Sequence, residues 1–583
     1  MQAEITLILG EESSMVEHRE KLMSALSHRP QGWHEIDWCR TQRTVRAMQI
    51  RIAKACKNGN WRKVRALQRM LTRSFSARFL AVRRVTENRG NKTAGVDGKR
   101  WTTPESKWKA AHDLERRGYR ASPLRRVYIP KANGKQRPLG IPTMRDRAMQ
   151  ALYLLALSPV SETVGDPNSY GFRPERSTAD AMGQLYCCLC RKRSSRWVLE
   201  ADIRGCFDHI NHEWLLRHVP MDRDVLNKWL NAGIVNKGMF QATEEGTPQG
   251  GVASPTLANL ALDGLETQLK KHLGITRAAR LKVNVVRYAD DFVITAASPE
   301  VLEDEIKPWV EQFLAVRGLT LAQEKTRIVS IDRGFDFLGW NFRKYGEKLL
   351  IKPSQKNVSA FYSKVQDIIQ RHHGGSQDHL IHQLRPVLRG WAQYHQPVVA
   401  KATFHRLDAK IWYLLWRWAR RRHSKKGAYW VRKHYFHTLG TRQWEFAYAQ
   451  RNAASTQLEY VRLEPLSATA IQRHAKIKGE YNPFDPAWEQ EGEMLRTRRM
   501  MRSLHYRREV ARLYQQQRGQ CAHCRHPITL QTGWQDHHLH PLTQGGRKST
   551  NNRVLLHPEC HNQVHELGVS VSKPARDAGL VKA

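Results

Sequence analysis

Two short apolar runs flank a pair of adjacent aspartates, and this pattern constrains the fold more than any other in the chain. The first run, VNVV at 283–286, leads into YADD at 288–291, and the second, FVI, follows at 292–294. The pattern predicts two antiparallel strands joined by a tight turn, with both carboxylates at the end of the hairpin. Taken alone, the Asp-Asp dipeptide is more typical of a solvated turn than of a catalytic site.

A third carboxylate changes the interpretation. Asp202 lies upstream, at the end of another apolar run, WVL at 197–199. Nucleotidyl transfer needs two divalent ions about 4 Å apart, held by carboxylates from separate strands. The sequence therefore predicts that Asp202, Asp290 and Asp291 could form such a site.

The charge of the chain indicates a polyanionic partner. Its 583 residues include 96 Lys or Arg against 54 Asp or Glu, a net charge of +42, and 40% are hydrophobic. Nucleic acid is the commonest polyanion that tolerates such a charge, and the apolar content argues for folded domains rather than a basic tail. The most apolar run, 148–157, is too short to span a bilayer, so we expect no membrane partner. Nine irregularly placed cysteines favour a reducing compartment.

The pattern changes along the chain. Helical periodicity over 35–55 and 61–79 predicts a helical hairpin, and short strands mixed with helices follow to about 345. Helical sequence rich in Trp and Arg returns over 354–440, and a segment rich in Cys and His begins near 515. A Pro- and Glu-rich stretch, 481–493, is the best candidate linker.

Several short motifs, taken in order, resemble those of reverse transcriptases. They are KTAGVDG at 92–98, IPK at 129–131, RPLGIPT at 137–143, YGFRP at 170–174, ADIRGCFD at 201–208, GTPQGG at 246–251, YADD at 288–291 and FLGW at 337–340. The whole chain resembles a group II intron-encoded protein. That family combines a reverse transcriptase, a maturase domain, a DNA-binding region and a terminal endonuclease.

The resemblance implies an α/β plus α fold. We expect right-hand-like fingers and palm, an α-helical thumb and maturase domain, and a small zinc-containing ββα-metal HNH domain. The implied boundaries are 1–90 for an N-terminal helical extension, 91–345 for fingers and palm, 346–440 for thumb and maturase, 441–514 for a basic DNA-binding region and 515–583 for the HNH domain.

The resemblance also assigns roles in the polymerase. The two Mg²⁺ ions would be held by Asp202, Ile203, Asp290 and Asp291, with the three aspartates catalytic. The residues that would contact the incoming nucleotide or the template are Lys131, Arg137, Phe207, Gln249, Gly250 and Lys325. Phe207 matches the aromatic position that favours deoxynucleotides, with a role in core packing as the alternative.

Two X-x₂-X pairs of metal-binding residues mark the C-terminal segment. Cys521 and Cys524 form the first pair, and His557 and Cys560 form the second. Four such ligands are typical of a closed tetrahedral zinc site. His557 stands where the family usually has cysteine.

Between and after these pairs, the sequence matches the HNH nuclease pattern. The match implies His538 as general base, His537, His561 and His565 as ligands of Mg²⁺ or Mn²⁺, and Asn552 as the residue that fixes the hairpin loop. His537 and His540 remain alternative bases. A zinc-bound DNA-binding knuckle without catalysis is the other interpretation.

The segments LRGWAQY at 388–394 and WRWARRRH at 416–423 resemble the maturase region, and Arg420, Arg421 and Arg422 are candidate RNA contacts. The resemblance implies splicing of an intron RNA, nicking of target DNA and cDNA synthesis from dNTPs, in the bacterial cytoplasm or in an organelle. The alternatives are a non-catalytic RNA-binding splicing cofactor and a reverse transcriptase of another retroelement or defence system. The oligomeric state is left open.

Overall fold

The structure is a computed structural model that describes residues 30–130, 134, 136–236, 238–247, 250–451, 458–504, 507–547 and 549–573. The chain divides into two compact units. The first contains the described residues up to Val164, His212–Leu257 and those from Asn482 onward, and the second contains Gly165–Asn211 and Ala258–Tyr481.

Helices and strands alternate irregularly through the first part of the chain. They are α1 (Trp38–Lys57), α2 (Trp61–Arg73), α3 (Phe75–Glu87), α4 (Pro104–His112), β1 (Leu124–Pro130), β2 (Gln136–Ile141), α5 (Met144–Val164), α6 (Thr178–Leu189), β3 (Trp197–Asp202), α7 (Cys206–His209), α8 (His212–His218), α9 (Arg223–Leu230), β4 (Ile234–Asn236), β5 (Met239–Gln241), α10 (Ser254–Leu262), α11 (Leu265–Leu273), α12 (Ile275–Arg280), β6 (Asn284–Tyr288) and β7 (Asp291–Ala296).

The second part becomes helical and then mixed again. Its elements are α13 (Lys307–Ala315), β8 (Arg327–Ser330), β9 (Phe335–Phe337), β10 (Trp340–Tyr345), β11 (Lys348–Pro353), α14 (Gln355–Arg371), α15 (Gln377–His395), α16 (Lys401–Arg422), α17 (Ala428–Tyr435), β12 (Phe436–Leu439), β13 (Arg442–Arg451), β14 (Leu458–Arg462), α18 (Glu489–Ser503), α19 (Arg508–Gln516), β15 (Gln535–His538), β16 (Arg553–Leu556) and α20 (Pro558–Leu567).

Helix α5 forms the centre of a helical cluster in the first unit. Helices α1, α2 and α3 all pack against it, and its apolar run is buried on every side. The expected helical hairpin is present, but its second helix is divided. Ser74 adopts an extended conformation (φ −69°, ψ 132°), so α2 ends at Arg73 and α3 starts at Phe75. Serine interrupts helices readily because its hydroxyl competes for backbone hydrogen bonds.

The first unit also holds two sheets. Strands β2, β1, β4 and β5 lie side by side in that order, and β1 and β2 form an antiparallel hairpin that pairs Ile129 with Arg137. Strands β15 and β16 form a second antiparallel pair, and α20 follows β16 directly. This ββα arrangement is the one expected of the terminal segment. The linker expected over 481–493 is shorter than predicted, because α18 begins at Glu489.

The second unit contains a four-stranded antiparallel sheet with the order β6-β7-β3-β8. Strand β7 is buried except at Asp291, β3 alternates between buried and half-buried residues, and α6 packs against β6. The aspartate-bearing ends of β3 and β7 therefore rest on a rigid base.

Helices α14, α15 and α16 pack together after the small sheet β9–β11. Asn357 accepts hydrogen bonds from Trp391 Nε1 (2.7 Å) and from His395 (3.0 Å). Burial lowers the pKa of His395 to about 3, so this histidine is a neutral core residue. Trp340 stacks on Tyr394 with ring centroids 4.6 Å apart, which joins the FLGW motif to α15.

Within the described residues, none of the helices combines the length and the apolar character needed to cross a membrane.

Candidate active sites and metal centres

The three aspartates predicted to act together lie at one end of the β6-β7-β3-β8 sheet. Asp202, the last residue of β3, is directly opposite Asp291, the first residue of β7. Tyr288 pairs with Asp291 across the hairpin, so Ala289 and Asp290 form its two-residue turn. Ala289 has φ +59°, a left-handed conformation suited to such a turn. The register thus places carboxylates from two strands and a turn next to one another.

The charges of this cluster are mutually repulsive. Partial desolvation, followed by the charges of Asp290 and Asp202, raises the pKa of Asp291 to about 7, although part of this side chain reaches solvent. Lys325 forms an ion pair with Asp202, and the hydrogen bond with that carboxylate raises the pKa of the lysine. Carboxylates in this arrangement suit hard divalent cations, which would relieve their repulsion.

A buried arginine contacts the backbone of this turn. Arg287 is 1% exposed, and its guanidinium contacts Asp263 (2.5 Å), Asn259 Oδ1 (3.2 Å) and the carbonyl oxygen of Ala289 (3.4 Å). Asn259 in turn donates to the carbonyl of Gly171. We did not predict Arg287 from the sequence. The available signal was a charged residue inside an otherwise apolar strand, directly before the YADD motif.

The other residues assigned to the polymerase are distributed over both units. Phe207 lies on α7, is 8% exposed and meets Phe172 edge to face at 5.9 Å. Ile203 follows Asp202 and is buried, so only its carbonyl could serve a metal. Arg137 is exposed on β2.

Gly250 lies in the first unit with φ +123°. A Cβ at this position would meet the carbonyl oxygen of Gly140 at 2.7 Å, so the close approach requires glycine. Lys131 and Gln249 lie outside the described residues.

The two pairs of metal-binding residues near the C-terminus meet in a buried cluster. Ligand atoms of Cys521, Cys524, His557 and Cys560 all lie within 4.8 Å of one another. Cys524 Sγ and Cys560 Sγ are 3.3 and 3.9 Å from His557 Nδ1. Hydrogen bonds from Cys524 and Cys560 lower the pKa of Cys521, which favours a thiolate. Soft, ionisable ligands in a closed cluster of four fit zinc.

A separate group of three histidines lies beside the β15–β16 hairpin. Ligand atoms of His537, His561 and His565 also lie within 4.8 Å of one another, and the Nε2 atoms of His561 and His565 are 3.3 Å apart. Burial, followed by the neighbouring His561 and His565, lowers the pKa of His537 to about 4. Neutral imidazoles grouped in this way could hold one divalent ion.

His538 occupies the next position on β15, opposite Arg553. The loop after this strand is held by Asn552, whose side chain accepts from His540 N and donates to His540 O, both at 2.8 Å. Asn552 also donates to the carbonyl of Arg547 at 3.0 Å. These contacts fix the backbone that follows His538.

The three arginines at the end of α16 differ in their surroundings. Arg420 and Arg421 are exposed. Arg422 instead donates to the carbonyl oxygens of His373 (2.9 Å) and Gly375 (2.6 Å) and lies over the ring of Trp418. Arg420 and Arg421 therefore face solvent, whereas Arg422 stabilises the connection between α14 and α15.

Four protein-family sequence models match the chain. They are described as the N-terminal domain of reverse transcriptase (residues 33–114), reverse transcriptase (RNA-dependent DNA polymerase) (129–342), group II intron, maturase-specific domain (358–436) and HNH endonuclease (521–567).

Two curated proteins illustrate the similarity. Protein YkfC of Escherichia coli strain K12 is 34% identical over 339 residues, covering 50% of this chain and 88% of that protein. Group II intron-encoded protein LtrA of Lactococcus lactis subsp. cremoris is 30% identical over 332 residues, covering 46% of this chain and 54% of LtrA. The chain therefore matches about half the length of LtrA.

A solved telomerase from Candida albicans has a TM-score of 0.32 and 10% identity, over 54% of this chain and 64% of that chain. A structural similarity at this level supports no conclusion about this chain.

Proposed function

Because this chain belongs to the family of group II intron-encoded proteins, with reverse transcriptase, maturase and HNH endonuclease domains, we propose that it serves one intron in three ways. It binds the intron RNA to promote splicing, nicks a DNA target and copies the RNA into cDNA. The opposition of Asp202 and Asp291 across β3 and β7 is the observation on which the polymerase assignment rests.

In the polymerase, Asp202, Asp290 and Asp291 hold two Mg²⁺ ions, with the carbonyl of Ile203 as a further ligand. The ions, when bound, activate the attacking 3′-hydroxyl and stabilise the leaving pyrophosphate. Arg287 is a positioning residue, since it holds the turn that carries Asp290 through the carbonyl of Ala289. The ion pair with Asp202 keeps Lys325 close to the position that the triphosphate would occupy.

Selection of the nucleotide is assigned to a further set of residues. Lys131 and Arg137 grip the triphosphate, since an ammonium group and a planar guanidinium suit phosphate oxygens. Phe207 crowds the 2′ position of the sugar. Gln249 and Gly250 approach the template strand, and the glycine lets the backbone come close.

In the nuclease, His537, His561 and His565 hold one Mg²⁺ or Mn²⁺ ion, which stabilises charge on the scissile phosphate when bound. His538 accepts a proton from the attacking water as the general base. The hydrogen bonds between Asn552 and His540 keep the loop after His538 in place. Cys521, Cys524, His557 and Cys560 hold a structural Zn²⁺ ion that replaces a large core in this small domain.

The basic helical surfaces bind the RNA. The thumb and maturase helices, over 346–440, present Arg420 and Arg421 to phosphates, and Arg422 acts mainly by bracing α16. We assign fingers and palm to 91–345, target-DNA contacts to 441–514, nicking to 515–583 and a helical extension to 1–90. The presence of all three palm aspartates argues against a purely RNA-binding cofactor.

The proposal is tested with purified full-length protein on three nucleic-acid substrates. Primer extension on an RNA template, repeated with the candidate intron RNA and with ligated-exon DNA, should yield cDNA for the wild type and none for Asp290→Ala. Nicking of the DNA should survive in Asp290→Ala and disappear in His538→Ala. Equal extension by wild type and Asp290→Ala would contradict the polymerase assignment.

A further inference from the structure

The helix that ends the HNH domain is held by residues from the start of the chain. Glu559, on α20, is 2% exposed, and its carboxylate accepts from Trp33 Nε1 (2.6 Å) and Lys107 Nζ (3.1 Å). Lys107 is itself largely buried. A buried carboxylate is stable only when it is paired, and both of these partners precede β1. The contact is therefore part of a buried interface and is not an exposed ion pair.

A second residue of α20 forms hydrogen bonds with the backbone of the same N-terminal segment. Gln563 is 2% exposed and donates through Nε2 to the carbonyl oxygens of His34 (2.8 Å) and Ile36 (2.9 Å). Those carbonyls belong to and follow the short 3₁₀ turn Trp33–Glu35. Without Gln563, both carbonyls would lose this donor, and a buried acceptor left unpaired is costly.

The third contact reaches the cysteine cluster itself. Arg83, on α3, is 5% exposed, lies over the ring of Trp38 (4.5 Å) and donates to Glu87 Oε1 (3.0 Å). Its Nη2 lies 3.9 Å from Cys560 Sγ, and its Nη1 has no hydrogen-bond partner among the described residues. Three thiolates and one imidazole around Zn²⁺ carry a net charge of −1, so a buried guanidinium at this distance compensates the cluster.

We propose that the N-terminal segment, residues 33–112, forms the surface on which the HNH domain docks, and that Arg83 is a positioning residue for the cysteine cluster. The nuclease is thereby attached through its metal-bearing helix to the helices that precede the fingers strands, and it does not depend on the chain connection alone. Docking and the cysteine cluster support each other, because Cys560, Glu559 and Gln563 share α20. The role of Arg83 rests on the zinc assignment made above, whereas the docking does not.

Hydrogen exchange followed by mass spectrometry on the full-length protein tests the docking. In Glu559→Ala, the amides of residues 33–36 and of α20 should exchange at least tenfold faster than in the wild type. Strands β3 and β7 should not change. The matched control is Glu566→Ala, which removes an exposed glutamate from the same helix and should leave exchange at wild-type rates.

Protection of β15 and β16 in Glu559→Ala shows that the domain stays folded. If it unfolds, Lys107→Met and Trp33→Phe remove the same contacts from the other side of the interface and should give the same faster exchange. Wild-type exchange in residues 33–36 for these variants would overturn the docking.

Zinc release tests Arg83 separately. Zinc transfer from full-length Arg83→Gln to a coloured chelator should be about tenfold faster than from the wild type, and Arg83→Lys should restore part of the difference. Arg73→Gln, which removes an exposed arginine from α2, serves as the control. Equal release from Arg83→Gln and wild type would overturn the positioning role. A wild-type protein without zinc would overturn both that role and the zinc assignment, and the exchange rates would still decide the docking.

Discussion

Asp202 and Asp291 stand directly opposite each other in the antiparallel pair of strands β3 and β7. Asp290 is adjacent in the turn, and Lys325 is the cation that pairs with Asp202 in the protein alone. Adjacent carboxylates that repel one another suit divalent cations, which would relieve the repulsion. Each of the first two predictions depends on this arrangement.

We predict that Asp290→Ala lowers cDNA synthesis by roughly 10³-fold or more, which corresponds to about 4 kcal/mol of transition-state stabilisation. RNA affinity should be nearly unchanged, because the substitution removes a metal ligand and no backbone support. Primer extension and filter binding measure the two quantities. Asp332→Ala is the control, since Asp332 forms an exposed ion pair with Arg196 elsewhere in the second unit. Normal extension by Asp290→Ala would show that the palm assignment is wrong.

The raised pKa of Asp291 predicts a pH-dependent stability. Its pKa of about 7 in the folded protein lies above the ordinary value near 3.9, so the folded state binds more protons between these values. Stability without magnesium should therefore fall as pH rises through this window. Asp291→Asn should raise the melting temperature at pH 8 by roughly 1–3 °C, a small effect because the carboxylate is partly solvated. At pH 4.5 the two proteins should melt alike.

Magnesium provides the control for that measurement. Millimolar Mg²⁺ should stabilise the wild type at pH 8 and have little effect on Asp291→Asn, since the ions neutralise the same repulsion. An unchanged melting temperature of Asp291→Asn at both pH values, with or without Mg²⁺, would mean that Asp291 is an ordinary solvated carboxylate.

Phe207 should control the choice of sugar. We predict that Phe207→Val allows incorporation of ribonucleotides, because the smaller side chain no longer crowds the 2′-hydroxyl. Extension with single ribonucleotides, relative to deoxynucleotides, measures this ratio. Phe172→Leu is the control for the loss of the edge-to-face contact between the two rings, because Phe172 has φ +59°, a conformation that β-branched residues do not tolerate. Unaltered sugar selectivity in Phe207→Val would identify Phe207 as a packing residue only.

The two histidine- and cysteine-containing clusters should respond differently to substitution. Cys524→Ser should release zinc and unfold the segment from about residue 515, because the buried cluster replaces a core. His538→Ala should keep zinc and the fold but stop DNA nicking. Zinc content, circular dichroism and a nicking assay distinguish the variants. Continued nicking by His538→Ala would transfer the role of general base to His537 or His540.

Local patterns in the sequence predict much of the palm. The hairpin around Asp290 and the strand ending at Asp202 follow from periodicity and turn residues, whereas the ββα order of the terminal segment was implied by the resemblance to HNH nucleases. The roles of the individual site residues stay predictions. The support of the turn by Arg287 could not be predicted, because it depends on a contact with Asp263, which follows α10 and lies 24 residues earlier in the chain.

Contacts between distant parts of the chain could not be predicted from the sequence either. The hydrogen bond between Trp33 and Glu559 joins residues near opposite ends of the sequence, and the metal-binding motif that contains Glu559 gives no indication of this partner. Similarly, Arg422 resembles its two exposed neighbours in the sequence, and only the structure shows its contacts with backbone carbonyls. Side-chain chemistry indicates what a residue can bind, whereas packing decides which partner it meets.

The last prediction separates RNA binding from polymerase chemistry. In the family to which this chain belongs, the intron RNA is itself the catalyst, and the protein holds it in its active shape. Such help depends on many phosphate contacts, so it should weaken steeply with salt and should not need the palm ions. We therefore predict that the double variant Asp290→Ala, Asp291→Ala still promotes splicing at low magnesium.

Neutralising Arg420, Arg421 and Arg422 together should impair splicing, and the structure indicates which of them act on RNA. Arg420→Gln with Arg421→Gln should lower intron affinity and its salt dependence without changing stability, since both side chains are exposed. Arg422→Gln alone should instead lower the melting temperature, because two carbonyl oxygens lose their donor. Splicing at two salt concentrations, together with thermal melts, measures both effects. If the palm variant is folded and binds RNA but does not splice, the separation of RNA binding from polymerase chemistry is wrong. If the Arg420 and Arg421 double variant splices normally at the higher salt concentration, the RNA-binding surface is not the one assigned to α16.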